Sequence, residues 1–227
     1  MSPGDALIED PMSEFAPSHV VVRRLGTVDY DTTWARMRRF TDARSADTAD
    51  EFWVLQHFPV YTQGISCIAQ PRDGGGRIRV VATDRGGQIT YHAPGQLVVY
   101  VLLDLKRRGV GVRRLVQVLE QALISLLRTY GIRGERRAGA PGVYVNDAKV
   151  AALGLRIRRG ATYHGLSLNV DMDLRPFADI DPCGHEGLAV TQLRELGVTV
   201  GIDIVAGQLI SELASALNYQ DVEFTDF

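Results

Sequence analysis

The sequence predicts an α+β domain, a mixed β-sheet with flanking helices, and three observations predict it. Residues 112–131, VRRLVQVLEQALISLLRTYG, repeat apolar side chains at helical spacing. Residues 96–105, QLVVYVLLDL, are almost continuously apolar, as in a central strand covered on both faces. The remaining strand-like and helix-like stretches mix without a βαβ rhythm. A chain of 227 residues fits one domain and can bury a sizeable core. Residues 1–17 are expected as a mobile tail, 18–219 as a single domain and 220–227 as a C-terminal tail.

In order along the chain, HVVVRRLG (19–26) reads as a strand closed by Gly26. DYDTTWARMRRFTDAR (29–44) comes next as a helix, with Trp34, Met37 and Phe40 at helical spacing. EFWVLQH (51–57) reads as a buried strand, and GISCIAQPRDGGG (64–76) as a loop. The next stretch, to Leu105, reads as three strand segments broken at Arg85-Gly86-Gly87 and Ala93-Pro94-Gly95. Helix 112–131 places Val112, Leu115, Val116, Leu119, Leu123, Leu126 and Tyr130 on one face, with Gly131 at its C-terminal cap. GVYVNDAKVAALGLRI (142–157) is a hairpin turning at Asn146-Asp147, so Lys149 opens the returning strand. ATYHGLSLNVDMDL (161–174) is a further strand, and Asp203 is positioned to cap a last helix carrying Val205, Leu209, Leu213 and Leu217.

Composition narrows the function classes. Net charge is −2, so no global field favours nucleic acid or an anionic membrane. Arginines cluster at 36–39, 133–137 and 156–159, as a basic face or as solvated charges. Two cysteines, Cys67 and Cys183, make no disulfide framework, and a reducing cytoplasm is the expected compartment. The first 17 residues lack the basic start and apolar run of a signal peptide. No stretch approaches the roughly 18 apolar residues of a membrane span.

Four groups could carry chemistry. Paired glycines in RGGQITYH (85–92) allow close backbone approach to a ligand, although hairpins use such pairs too. The stretch lacks the lysine and hydroxyl spacing of a phosphate loop. His92 and His164 both succeed Thr-Tyr, in TYHAPG and TYHGLS, and each reads as a structural histidine, a substrate-orienting one or, less readily, a metal ligand. Lys149 stands among apolar neighbours: it could hold a thiol as thiolate or accept its proton, or be a solvated hairpin lysine. Cys183 sits in the turn Pro182-Cys183-Gly184, displayed as a nucleophile or simply a small turn residue. Cys67 reads as packing or a loop residue.

Taken together, RGGQITYHAPGQLVVYVLLDL, APGVYVNDAKVAALGLRIRRG, YHGLSLNVDMDL and DPCG resemble the octanoyltransferases of lipoate biosynthesis, the LipB family of lipoyl(octanoyl) transferases. The resemblance runs from about Val20 to Leu217. It implies the catalytic fold of biotin and lipoate protein ligases. It also implies transfer of an octanoyl group from the phosphopantetheine thioester of acyl carrier protein to an enzyme cysteine. The group then passes to a lysine ε-amine on lipoyl domains of 2-oxoacid dehydrogenase complexes or the glycine-cleavage H protein.

By the same resemblance Cys183 is the nucleophile and Lys149 lowers its pKa and carries its proton. Arg85, Gly86, Gly87, Gln88, Ile89, Thr90, Tyr91 and His92 form the substrate loop. Ala152, Leu153 and Gly154, with Gly165, Leu166 and Ser167, line the acyl site. No cofactor, metal, nucleic acid or membrane span is expected, and a monomer is. The donor is already activated, so no ATP is required. Competing readings are an ATP-dependent lipoate or biotin-type ligase, a non-catalytic lipoyl-domain binder, and a cysteine hydrolase using His164 or His185. Two departures stand out: Ala93 where the family has glycine, and Gln56-His57-Phe58-Pro59 where it has Glu-His-Pro-Pro. Alanine at position 93 requires a negative φ or a reshaped loop.

Overall fold

The nearly continuous apolar run becomes the middle strand of a seven-stranded sheet. The computed structural model describes residues 17–67, 71, 78–180 and 188–226. In chain order its elements are β1 (His19–Val28), α1 (Tyr30–Ala43), β2 (Asp50–His57), β3 (Val60–Gln63), β4 (Arg79–Ala82), β5 (Ile89–His92) and β6 (Gln96–Leu102). Next come α2 (Leu105–Arg108), α3 (Val112–Thr129), β7 (Gly142–Val145), β8 (Ala148–Arg158), β9 (Ala161–Asn169), a 3-10 turn (Arg175–Asp179), α4 (Ile202–Ala216) and β10 (Asp221–Asp226). The large sheet runs β10-β1-β2-β6-β9-β8-β7, and a small one runs β4-β3-β5. Parallel pairs join β1 to β10 and to β2, while β2 through β7 pair antiparallel, so the expected mixed sheet is present.

Strand alternation assigns β6 to two cores. Leu97, Val99 and Val101 face a large aliphatic cluster built with α3 and α4. Val98, Tyr100 and Leu102 face a smaller cluster with Met37 of α1, Trp53 and Tyr163. Helix α3 buries Leu115, Leu119, Leu123 and Leu126 completely, each contributing roughly 1.5–3 kcal/mol. Val112 and Val116 lie on the same predicted face yet remain exposed and half-buried. Gly131 takes φ +73° just past the helix, as a C-terminal cap requires.

Four expectations need correction. Residues 221–226 are not a tail: Gln220 and Asp221 N–H donate to the Ser18 carbonyl at 2.7 and 3.0 Å, starting a parallel edge strand. Tyr219 anchors this turn, its hydroxyl donating to the fully buried Asp50 at 2.8 Å. Asp50 also receives Arg44 and Arg107 at 2.5 and 3.0 Å, so one buried carboxylate ties the end of α1 and helix α2 to the turn before β10. The last helix is capped by the Gly201 backbone, with Asp203 inside its first turn, where its charge suits the helix dipole. One βαβ unit does exist, β1-α1-β2, because α1 returns the chain parallel to its start. Val60–Gln63, within a stretch that carried no strand expectation, pairs with both β4 and β5.

Candidate active site

Three walls and a floor surround a cavity of about 420 Å³, within the size range of small-molecule pockets. Its first wall is the β7–β8 hairpin. Asn146 and Asp147 adopt φ +46° and +67°, a turn that matches the twist of two antiparallel strands. Across that hairpin Tyr144 pairs with Lys149, whose ammonium nitrogen lies 5.4 Å from the Tyr144 ring centre. Lys149 is only 5% exposed, which rules out the solvated alternative. Gly142 makes room for it: a Cβ there would collide with Lys149 Cε. On the other edge Lys149 N–H donates to Ala189 O at 2.8 Å, and Thr191 N–H donates to Lys149 O at 3.0 Å.

The second wall is the loop at Arg85-Gly86-Gly87. Gly86 N–H donates to Leu155 O at 2.9 Å, pinning the loop on β8. Arg85 is buried, and its guanidinium donates to Thr62 Oγ1 at 3.1 Å through Nε and to Gly86 O at 3.0 Å. Gly64 packs beneath, where a Cβ would collide with Gly87 O. The third wall is β8 against β9. Here Ala152, Leu153 and Gly154 pair residue by residue with Ser167, Leu166 and Gly165. A side chain on Gly154 would approach Gly86 O within 3.0 Å, so the small residue lets the loop close over the strands.

The floor is aromatic and polar: Tyr30, His92, Tyr100 and His164. His92 Nδ1–H donates to Gln96 Oε1 at 2.6 Å, and its Nε2 accepts from Thr62 at 3.4 Å. Behind the floor, His57 Nδ1–H donates to Val28 O at 3.0 Å and Nε2 accepts the Tyr100 hydroxyl at 2.6 Å. Burial lowers His57 to about 4 and His92 to about 3. It raises Tyr30 to about 12. Both histidines and Tyr30 are therefore neutral at pH 7. His164 Nε2 donates to Asp84 at 3.0 Å. Among the described residues no group of three metal-ligating side chains gathers.

Of the expected site residues, Lys149, Arg85, Gly86, Gly87, Gln88, Ile89, Thr90, His92 and both β8 and β9 triplets border this one cavity. Tyr91 does not: strand alternation turns it to the opposite side, against Tyr61 and Phe177. Cys183 lies outside the described residues, as do its neighbours Pro182, Gly184 and His185. Phe177 and Val190, described residues on either side of that segment, both border the cavity. Cys67 packs at the edge of a third apolar cluster, which includes Tyr61, Ile89, Tyr91, Met172, Phe177 and Ile180. Val112 and Val116 supply the apolar end, which explains why they stand outside the core. Sequence reasoning missed Tyr30 and Tyr100, which come from α1 and β6, because only the folded sheet brings them under the loop. Ala93 keeps a negative φ, so the family glycine is not needed there. Gln56 receives Gly95 N–H at 2.7 Å and holds the same turn.

The model of the lipoyl protein ligase A/B catalytic domain matches residues 29–214. An octanoyltransferase of Aromatoleum aromaticum is 56% identical over 202 residues, 87% of this chain and 86% of that protein. An octanoyltransferase of Thiobacillus denitrificans is 54% identical over 211 residues, 93% of this chain and 96% of that protein. The chain belongs to the octanoyltransferase family. Members of the family are acyltransferases. The fold extends to a solved bi-partite lipoate protein ligase from Thermoplasma acidophilum, with a TM-score of 0.71 at 16% identity over 93% of this chain and 87% of that one. Among the described residues no helix is long and apolar enough to cross a membrane.

Proposed function

We propose that this enzyme transfers an octanoyl group from an acyl carrier protein thioester to Cys183, then from Cys183 to a lysine of a lipoyl domain. The observation that carries this reading is the burial of Lys149 on the cavity wall, its backbone hydrogen-bonded to Ala189 and Thr191, which come shortly after Pro182-Cys183-Gly184 in the sequence. An ammonium in that position favours a nearby thiolate and can exchange protons with it.

In the first step the Cys183 thiolate attacks the thioester carbonyl, the pantetheine sulfur leaves, and Lys149 returns the proton to it. In the second step the acceptor amine attacks the Cys183 thioester, its proton passes to Lys149, and the Cys183 sulfur leaves as thiolate. An amide and a free enzyme result, with no oxidant and no nucleotide consumed. In the Arg85-Gly86-Gly87 loop Gly86 N–H is engaged by Leu155 O, so Gly87 N–H is the loop amide that orients the acyl carbonyl. The apolar walls take the methylenes, each worth about 0.8 kcal/mol on burial. Acceptors are lipoyl domains of 2-oxoacid dehydrogenase complexes and the glycine-cleavage H protein, the compartment is the cytoplasm, and the enzyme works as a monomer.

Single-turnover acylation and transfer without ATP test the reading. Lys149→Ala is expected to lower the rates by about 10² to 10⁴, the range of a proton-transfer catalyst. Lys149→Arg keeps the charge but gives up a proton poorly, so it is expected to fail chiefly in amine transfer. Wild-type rates in Lys149→Ala contradict the assignment, and an absolute requirement for ATP favours a ligase.

A further inference from the structure

We propose that Asp84 is a positioning residue, and that His164 is held in a left-handed backbone conformation so that two neighbours on one strand clamp Asp84 beneath the Arg85-Gly86-Gly87 loop. The proposal rests on the reading of that loop as a wall of the acyl site.

Consecutive residues of a strand point to opposite faces. In β9 that rule sends Leu166 and Leu168 to the large core and Tyr163 to the small one. His164 should therefore lie with Leu166. Instead its ring stacks on Tyr163 at 5.0 Å and meets Tyr100 at 5.9 Å, both members of the small cluster. The cause is its φ of +60°, a conformation that histidine adopts only under constraint from its surroundings. The result is that Tyr163 OH and His164 Nε2–H both donate to the Asp84 carboxylate, at 2.5 and 3.0 Å. Trp34 Nε1–H, from α1, adds a third donor at 2.8 Å.

The clamp sits where it controls the loop. Asp84 directly precedes Arg85. Two residues on, Gly86 N–H is bonded to Leu155 O, and Leu155 is the β8 residue paired with His164. The loop is thus tied at one register position of the sheet, through a side chain to β9 and through the backbone to β8. Partial burial raises the Asp84 carboxyl, but the hydrogen bonds from His164, Tyr163 and Trp34 outweigh it and hold the group well below the usual carboxylate range. Burial keeps His164 below its ordinary value despite Asp84, so the neutral ring donates through Nε2. Its Nδ1 then carries no proton to place, and no partner for it is found among the described residues.

Hydrogen exchange of the peptide spanning residues 83–90 tests the clamp without any assumption about the reaction. Asp84→Ala should speed exchange there about tenfold while β6 stays unchanged. In the same protein KM for octanoyl-acyl carrier protein should rise about tenfold, with Cys183 alkylation within about twofold of wild type. Asp84→Asn keeps one acceptor oxygen and should recover part of both effects. If Asp84→Ala does not fold, Tyr163→Phe removes one donor and should give about a threefold change in each. Unchanged exchange in a folded variant overturns the clamp, and faster exchange with an unchanged KM overturns the positioning role. Failure of the wild-type enzyme to transfer octanoyl groups would sink the functional reading while leaving the exchange result intact.

Discussion

Thr90-Tyr91-His92 and Thr162-Tyr163-His164 are the same three residues in two strands, and they fold differently. In β5 alternation holds. Tyr91 packs on Tyr61 and Phe177, while His92 turns the other way and stacks on Tyr30 at 6.1 Å. In β9 alternation fails at His164, and both rings serve one carboxylate. The residue after each histidine separates the two. Ala93 leads into the turn at Gly95, whose amide is held by Gln56. Gly165 instead lies against β6, where a Cβ would collide with Val99 O. A tripeptide therefore does not specify its side-chain directions; the backbone contacts around it do.

Gly165→Ala should break this arrangement most severely. Its Cβ would meet the Val99 carbonyl and lie 3.1 Å from Tyr100 Cα, both backbone, so β9 must separate from β6. A loss of about 3 kcal/mol is expected in urea unfolding, because overpacking against backbone has no flexible group to yield. Ala93→Gly, at the matching place in the other segment, should cost at most about 1 kcal/mol. Equal losses at the two positions would contradict the contrast.

The two histidines should also respond in opposite order to small residues. At His164, glycine relieves the left-handed backbone, so His164→Gly should be more stable than His164→Ala by about 1 kcal/mol. At His92, where φ is negative, alanine should be the more stable by about 0.5–1 kcal/mol. The same order at both sites in thermal unfolding would remove the backbone explanation.

Acid should weaken the site through groups on both sides of the comparison. Folded His57 and His92 bind protons less well than the unfolded chain, where imidazole titrates near 6.5. Below that pH the unfolded chain holds more protons, so stability falls until the folded values near 4 and 3 are passed. Asp84, depressed in the folded state, adds a loss in the same direction below the ordinary carboxylate range. His92→Gln should flatten the fall in Tm between pH 6.5 and 4; an unaltered slope would show that His92 is not desolvated in solution.

Periodicity alone made the skeleton legible: β6, α3 and the Asn146-Asp147 hairpin all arise from apolar spacing and turn chemistry. The edge strand β10 was not legible, because its alternation rests on two apolar residues alone, Val222 half-buried and Phe224 exposed, and the strand is held by backbone pairing to β1. Local sequence left Lys149 ambiguous, since its burial depends on Gly142, seven residues earlier, lacking a side chain. The β8 and β9 triplets were marked by resemblance, and their mutual pairing emerged only from register. Asp84 stood beside the glycine pair unremarked, since its three donors come from α1 and β9, far away in sequence.

The central claim is that the acyl chain passes through Cys183. Intact mass and peptide mapping after mixing the protein with octanoyl-acyl carrier protein, without ATP, test it most directly. A gain of one octanoyl group is expected on the peptide containing Cys183, discharged by a lipoyl domain and absent in Cys183→Ala. An octanoyl group carried instead on Cys67, or none until ATP and free octanoate are supplied, would contradict it.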